Sequence, residues 1–287
     1  MERNGQTDRR HLPKWMKMQR AGGDSYLKIK KLVQKNNLNT ICSSGNCPNI
    51  GECWNAGQAT FMILGDICTR SCKFCMTITG IPLPPDPMEP LKIAESIKIL
   101  GLKNCVITSV DRDDLPDGGA SLWAETIRKV KEINPGTKIE TLIPDFDGRE
   151  SFLDLIINAG PDIIAHNLET TRRLTPLIRS KARYDRSLGL LKYLSLKGVR
   201  TKSGIMLGLG EMHSEILETM DDLLIAGCYI LTLGQYLQPS LSHMEVKEYV
   251  TPGAFDEYKR IGLEKGFVFV ESGPLVRSSY HAEKHIS

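Results

Sequence analysis

Three cysteines stand within a single short segment, Cys68-Thr69-Arg70-Ser71-Cys72-Lys73-Phe74-Cys75, at CxxxCxxC spacing. Cluster iron is held by cysteine thiolates, and a fully protein-bound four-iron cluster takes four of them. Three thiolates leave one iron without a protein ligand. A metal with an open coordination position can bind a substrate, which is what separates catalytic from structural zinc. Two plainer readings compete. A zinc knuckle pairs CxxC with a second CxxC or with histidines, and the nearest histidine downstream is His166. A disulfide framework belongs to small secreted domains, which a chain of 287 residues does not resemble.

A second set, Cys42, Cys47 and Cys53, reads CxxxxCxxxxxC and is again one thiolate short of a closed four-ligand site. Six of the eight cysteines therefore lie between positions 42 and 75. Gly45, Pro48 and Gly51 favour a turning, loop-like path that lets three side chains converge. Cys105 and Cys228 sit in apolar contexts and read as buried structural thiols. The chain ends in Arg277-Ser278-Ser279-Tyr280-His281-Ala282. Serine oxygen is a poor ligand for iron that prefers thiolate, and such a bond is useful only where that iron must later be released. On chemistry alone the segment reads as a solvated tail, and nothing selects Ser279 over Ser278.

The order of these pieces resembles the lipoyl synthase family of the radical S-adenosylmethionine (radical SAM) superfamily. The resemblance rests on CxxxxCxxxxxC before CxxxCxxC, with Phe74 as the aromatic of the second set and Arg277-Ser278-Ser279-Tyr280 near the end. It extends to Thr108–Ala120, His166–Thr170 and Lys202–Glu211, and covers nearly the whole chain beyond the first dozen residues. It implies two four-iron (4Fe-4S) clusters. Cys68, Cys72 and Cys75 would hold the one that binds and cleaves S-adenosylmethionine; Cys42, Cys47, Cys53 and Ser279 would hold an auxiliary cluster that is consumed. It implies sulfur insertion at the sixth and eighth carbons of an octanoyl-lysine on a carrier protein. The carriers would be 2-oxoacid dehydrogenase E2 domains and the glycine cleavage H protein, and the electron donor a ferredoxin or flavodoxin. Cofactor contacts are expected at Phe74, Gly118, Gly119, Asn167, Glu169 and Arg179, with Gly208, Gly210 and Glu211 near the adenine. Taken alone, these also fit a turn before a helix, a helix cap and a surface arginine. Ala120 stands where many radical SAM proteins carry the glutamate of a Gly-Gly-Glu motif. A different radical SAM enzyme with an auxiliary cluster, or a non-catalytic iron–sulfur or zinc protein, shares parts of the pattern.

The elements that must position these residues follow from periodicity. Apolar strand-like runs at 60–64, 105–110, 139–143, 162–166, 204–209, 229–233 and 267–270 alternate with amphipathic helical runs at 88–100, 121–133, 152–159, 188–196, 216–226 and 255–265. Such alternation means crossover units and a parallel sheet, in which chemistry sits at the C-terminal strand ends. The resemblance implies the α/β class, a partial six-stranded (β/α) barrel of the TIM type with extensions carrying the auxiliary cluster. The expected division is an N-terminal extension over 1–58, the barrel over 59–275 and a tail over 276–287.

Composition fits a globular catalytic chain, with 41% hydrophobic and 25% charged residues. No apolar run reaches the roughly 18–20 residues that span a bilayer, and the polar start lacks a signal-peptide core, so no membrane partner is expected and the compartment is read as cytoplasmic. A net charge of +3 without interleaved aromatics does not suggest nucleic acid. Arg9, Arg10, Lys14, Lys17, Arg20, Lys28, Lys30, Lys31 and Lys35 make the N-terminus basic. They read as a solvated arm and helix face, or as a docking surface for an acidic partner.

Overall fold

The computed structural model describes residues 12–16, 22–280 and 282–285. Arg9, Arg10, Lys17 and Arg20 of the basic arm lie outside them. The extension begins with helix α1 (Asp24–Lys35), which buries Ile29 and Val33 and leaves Lys28, Lys30, Lys31 and Lys35 exposed. Strand β1 (Asn39–Thr40) and short helices α2 (Ile41–Ser44) and α3 (Ile50–Asn55) follow. The expected loop through Cys42–Cys53 is thus half helical. Thr40 caps α2, its hydroxyl accepting the Ser43 N–H at 3.3 Å.

The barrel strands are β2 (Thr60–Ile63), β5 (Asn104–Ser109), β6 (Lys138–Leu142), β7 (Ile163–Ala165), β8 (Thr201–Leu207), β9 (Ile230–Gln235) and β10 (Phe269–Gly273). They pair in parallel in that order, with β1 antiparallel on β2. Between β2 and β5, β3 (Ile67–Cys68) and β4 (Ile78–Thr79) form a separate two-stranded parallel sheet that closes the first cysteine loop. The crossovers are α4 (Glu89–Leu100), α5 (Ala120–Ile133), α6 (Glu150–Ala159), α8 (Tyr184–Leu196), α9 (His213–Ile225) and α10 (Pro252–Lys265), with the short α7 (Thr175–Ile178) before α8. Each of the first six parallel strands is therefore followed by a helix, and β10 ends the series. This is the partial (β/α) barrel.

Strand apolar residues such as Phe61, Ile107, Ile164 and Leu233, together with Trp123 and Phe255 from the helices, are 0% exposed and form one core. Burial of this kind is the main stabilising term. Strand β8 begins earlier than its apolar run, because Lys202 is buried in an ion pair that periodicity cannot see. Helix α10 likewise begins earlier. Pro252 opens it and the Thr251 hydroxyl accepts the Ala254 N–H at 3.3 Å. The sheet is open between β1 and β10. The extension and tail meet there: Asn49 Nδ2 donates to Leu275 O at 2.7 Å, and the Tyr280 hydroxyl to Glu52 at 3.0 Å.

Candidate active site

Strand β2 delivers the chain to the CxxxCxxC loop through Leu64, which is buried and held at φ 68°. This left-handed backbone is costly for leucine. It is fixed from both sides: the Leu64 N–H donates to Glu89 Oε2 at 2.8 Å, and Arg112 Nη1 donates to its carbonyl at 3.1 Å. Arg70, between Cys68 and Cys72, turns inward instead of into solvent. Its guanidinium donates twice to Asp113 at 2.8 Å, to Asp145 at 2.7 Å, and lies 3.2 Å from Asp111. These carboxylates follow β5 and β6, so the loop is bolted to the C-terminal strand ends. Further bonds fix its other side: Lys73 N–H to Ile178 O at 2.8 Å, Met244 N–H to Lys73 O at 2.9 Å, and His243 Nε2 to Cys75 O at 3.0 Å.

The Cys68 sulfur accepts backbone N–H groups from Arg70 at 3.4 Å and Asp111 at 3.3 Å. Burial and the Asp111 carboxylate nevertheless push its thiol up to about 11. Such a thiol becomes thiolate only when a metal displaces its proton, and the two N–H groups stand ready for that charge.

Cys68, Cys72 and Cys75 line a cavity of about 470 Å³ in the barrel mouth. Phe74, Asn167, Glu169 and Arg179 share it. Glu169 sits at φ 68°, its carboxyl pushed upward by burial. Asn167 Nδ2 donates to it at 3.1 Å, and Asn167 Oδ1 has no partner. Arg179 is half-buried, not a surface residue. Its Nη1 donates to the carbonyls of Asn167 and Leu168 at 3.0 and 3.2 Å, and its Nε is buried without a partner. Buried polar atoms are ordinarily satisfied. An orphaned acceptor and an orphaned donor on one wall suit a ligand with its own amino and carboxylate groups, as S-adenosylmethionine has. Below them His166 is held neutral, burial pulling it down to about 4, between Ile143 O and the Ser187 hydroxyl.

Cys42, Cys47 and Cys53 line a second, smaller cavity. Ser279 lines it too, whereas Ser278 lines the large one. Arg277 belongs to both. Burial pushes Cys42 and Cys47 upward; Trp54 beside the one and Arg277 beside the other favour the thiolate. The Trp54 indole N–H has no oxygen partner. All eight cysteines are free thiols. Among the described residues no three His, Cys, Asp or Glu side chains converge on a single ion. Thiolates that each bond a different iron of a cluster need no such convergence. The donor sets thus fit two clusters with three thiolates each, one of them with a serine hydroxyl at hand.

Several expected residues play other parts. Gly118 and Gly119 do not line the cavity. A Cβ at Gly119 would lie 2.5 Å from Leu64 Cδ1, and one at Gly118 3.2 Å from Phe146, so both allow close packing under the cysteine loop. Gly208, Gly210 and Glu211 are likewise absent from the cavity, the Glu211 carboxylate accepting the Leu209 N–H of its own turn at 2.9 Å. Cys105 and Cys228 are buried in the core. Sequence reasoning missed Arg70, Arg277 and His243. It also missed Gly204 and Gly234, which line the cavity where a Cβ would lie 2.4 Å from Thr232 Oγ1 and 2.1 Å from Val276 O. The only signal for Arg70 was an arginine between two cysteines and the later Asp111-Arg112-Asp113-Asp114 run.

Comparison with known proteins bears on the family and the fold. Residues 62–223 match the model of the Radical SAM superfamily. A lipoyl synthase of Bacteroides thetaiotaomicron is 60% identical over 279 residues, 97% of this chain and 99% of the relative. One of Treponema denticola is 58% identical over 274 residues, 96% of this chain and 94% of the relative. Among solved structures, SuiB of Streptococcus suis bound to the precursor peptide SuiA superposes with a TM-score of 0.60 at 13% identity, covering 86% of this chain and 53% of that one. At that identity the likeness concerns the fold alone.

Proposed function

The chain belongs to the lipoyl synthase family of the radical SAM superfamily, and from that premise we propose how its residues divide the work. The reaction inserts two sulfur atoms at the sixth and eighth carbons of a protein-bound octanoyl-lysine. In our reading Cys68, Cys72 and Cys75 hold the cluster that binds S-adenosylmethionine, and Cys42, Cys47, Cys53 and Ser279 hold the auxiliary cluster. Once bound, these groups supply a carbon radical that takes a hydrogen atom from an unactivated C–H bond, and the sulfide that replaces it.

The protein's own part is to hold, orient and enclose. Arg70 and its three carboxylates fix the loop that carries the first thiol set. Asn167, Glu169 and Arg179 receive the polar end of the cofactor, and Phe74 packs with Leu174, Ile178, Leu209 and Tyr236 beside it. No acid–base side chain is central, because hydrogen moves as an atom.

The observation that carries the assignment is two three-cysteine sets lining two cavities that share Arg277, with Ser279 in the second. One set is read as holding the lasting electron donor and the other the expendable sulfur source. On family grounds we assign the substrate to octanoylated E2 domains and glycine cleavage H protein, and the electron donor to a low-potential ferredoxin or flavodoxin. The same grounds assign the compartment to the cytoplasm. Among the described residues no helix is long and apolar enough to cross a membrane. The test is a single turnover with clusters rebuilt from heavy sulfide. Heavy sulfur in the peptide product, absent when Cys42, Cys47 and Cys53 are replaced, supports the division; light sulfur from solution rejects it.

A further inference from the structure

A wholly buried ion pair lies outside both cavities. Lys202 on β8 and Glu140 on β6 are 0% and 1% exposed, and Lys202 Nζ bonds both carboxylate oxygens, at 2.8 and 3.0 Å. Neither residue lines the large cavity or the small one. Lys202 stands one residue into its strand, away from the C-terminal ends that carry the cysteine loop. Such a pair is weak evidence for stability, since well-packed apolar residues do as well. Its use is better read from what it touches.

An ammonium has three donors. Two go to Glu140, and His285 Nδ1 lies 3.3 Å from the same nitrogen. His285 is 0% exposed although it lies in the C-terminal tail, in the short helix Ala282–His285. Arg200 Nη1 donates to its carbonyl at 3.0 Å, and its ring centroid is 5.7 Å from that of Phe269. The tail therefore leaves β10, presses the Val276 carbonyl against Gly234, ties Tyr280 to Glu52, and ends in a buried polar socket. Ser279 lies between these fixed points.

We propose that Glu140, Lys202 and His285 form a latch that seats the C-terminal tail in the barrel and thereby holds Ser279 against Cys42, Cys47 and Cys53. The three are positioning residues, and the inference rests on the reading of Ser279 as a cluster ligand. Polar contacts to one buried ammonium hold firmly when all are made and fail together when one is lost. A serine held by such a latch can leave and return as a unit with its tail, which suits a cluster that is spent and rebuilt.

The test uses the full chain with both clusters reconstituted without oxygen. His285→Ala opens the latch directly. The double variant Glu140→Leu with Lys202→Met removes both charges of the pair at once, a replacement that well-packed apolar residues of similar volume often tolerate. Hydrogen exchange of the amides of 276–285 is measured together with the Mössbauer signal of the serine-bound iron. Both variants are expected to exchange there about tenfold faster. They are expected to show the spectrum of Ser279→Ala while cleaving S-adenosylmethionine normally. His285→Asn, which keeps an acceptor for Lys202, is expected to restore part of both signals. Unchanged tail exchange with a normal serine-bound signal would overturn the latch alone. A native spectrum identical to that of Ser279→Ala would overturn the ligand reading and the latch's purpose with it.

Discussion

Arg70→Met tests whether the cysteine loop is held by charge. In the native chain the guanidinium bonds Asp113 twice at 2.8 Å and Asp145 at 2.7 Å, and lies 3.2 Å from Asp111. The Asp145 side chain is 0% exposed, so methionine strands a buried carboxylate. Removing one partner of a buried pair costs about 3–5 kcal/mol. Two effects pull toward the lower end. Arg186 Nη1 remains 3.3 Å from Asp145. Asp111, already pushed up to about 6 by burial, takes up a proton once the arginine is gone. About 3 kcal/mol corresponds to a fall in melting temperature of about 5 °C for a chain of 287 residues. Anaerobic thermal unfolding reads it, with iron content as the companion measurement. The pH dependence has a definite sign. Despite desolvation, bonding to Arg70 holds Asp113 down to about 2 and Asp145 lower still. Carboxyls depressed in the folded state contribute stability that is full above their unfolded value, about 3.9, and lost as pH falls through the folded value. The gap between native and variant proteins should therefore narrow as pH falls, first as Asp111 takes up its proton in the variant and further below about 4 as Asp113 and Asp145 are protonated in the native chain. A loss under about 1 kcal/mol, the range of exposed pairs, or a gap as wide at pH 3 as at pH 7, would refute the clamp.

Other substitutions separate the two thiol sets. Cys72→Ala should abolish S-adenosylmethionine cleavage, read as 5′-deoxyadenosine, while Cys47→Ala should keep cleavage and lose sulfur insertion. Normal cleavage in the first, or lipoyl product from a second shown to lack its auxiliary cluster, would contradict the assignment. Ser279→Ala should leave three thiolates on the auxiliary cluster and impair turnover, whereas Ser278→Ala, on the other cavity, should act far more weakly; the reverse order in a product assay would transfer the role. Gly119→Ala puts a methyl 2.5 Å from Leu64 Cδ1 at φ +87° and should destabilise by about 2–4 kcal/mol from overpacking and backbone strain together, measured as a lower denaturant midpoint with an unchanged slope.

The alternation of apolar runs was legible because six crossover helices each bury one stripe and seven parallel strands are apolar over most of their length. The cysteine spacing was legible because the three thiolates of each set come from one short segment, whereas the serine expected to complete the second set lies far away in the tail. Other features escape because their partners are distant in sequence. Arg70 looks solvent-facing until Asp111, Asp113 and Asp145 are folded onto it. Lys202 argues against a strand until Glu140 faces it. Gly118 and Gly119 resemble a ligand-binding turn, and only the placement of Leu64 and Phe146 shows that they also allow close packing. Ser278 and Ser279 are chemically alike; the difference is which cavity each lines, and that depends on how the tail is pinned between the extension and the barrel.

Anaerobically reconstituted protein should be incubated with S-adenosylmethionine, a strong reductant and an octanoyl-lysyl peptide, and the peptide mass read together with 5′-deoxyadenosine. The expected result is a peptide that has gained two sulfur atoms, with deoxyadenosine formed alongside. Neither product from protein with both clusters intact would contradict the account.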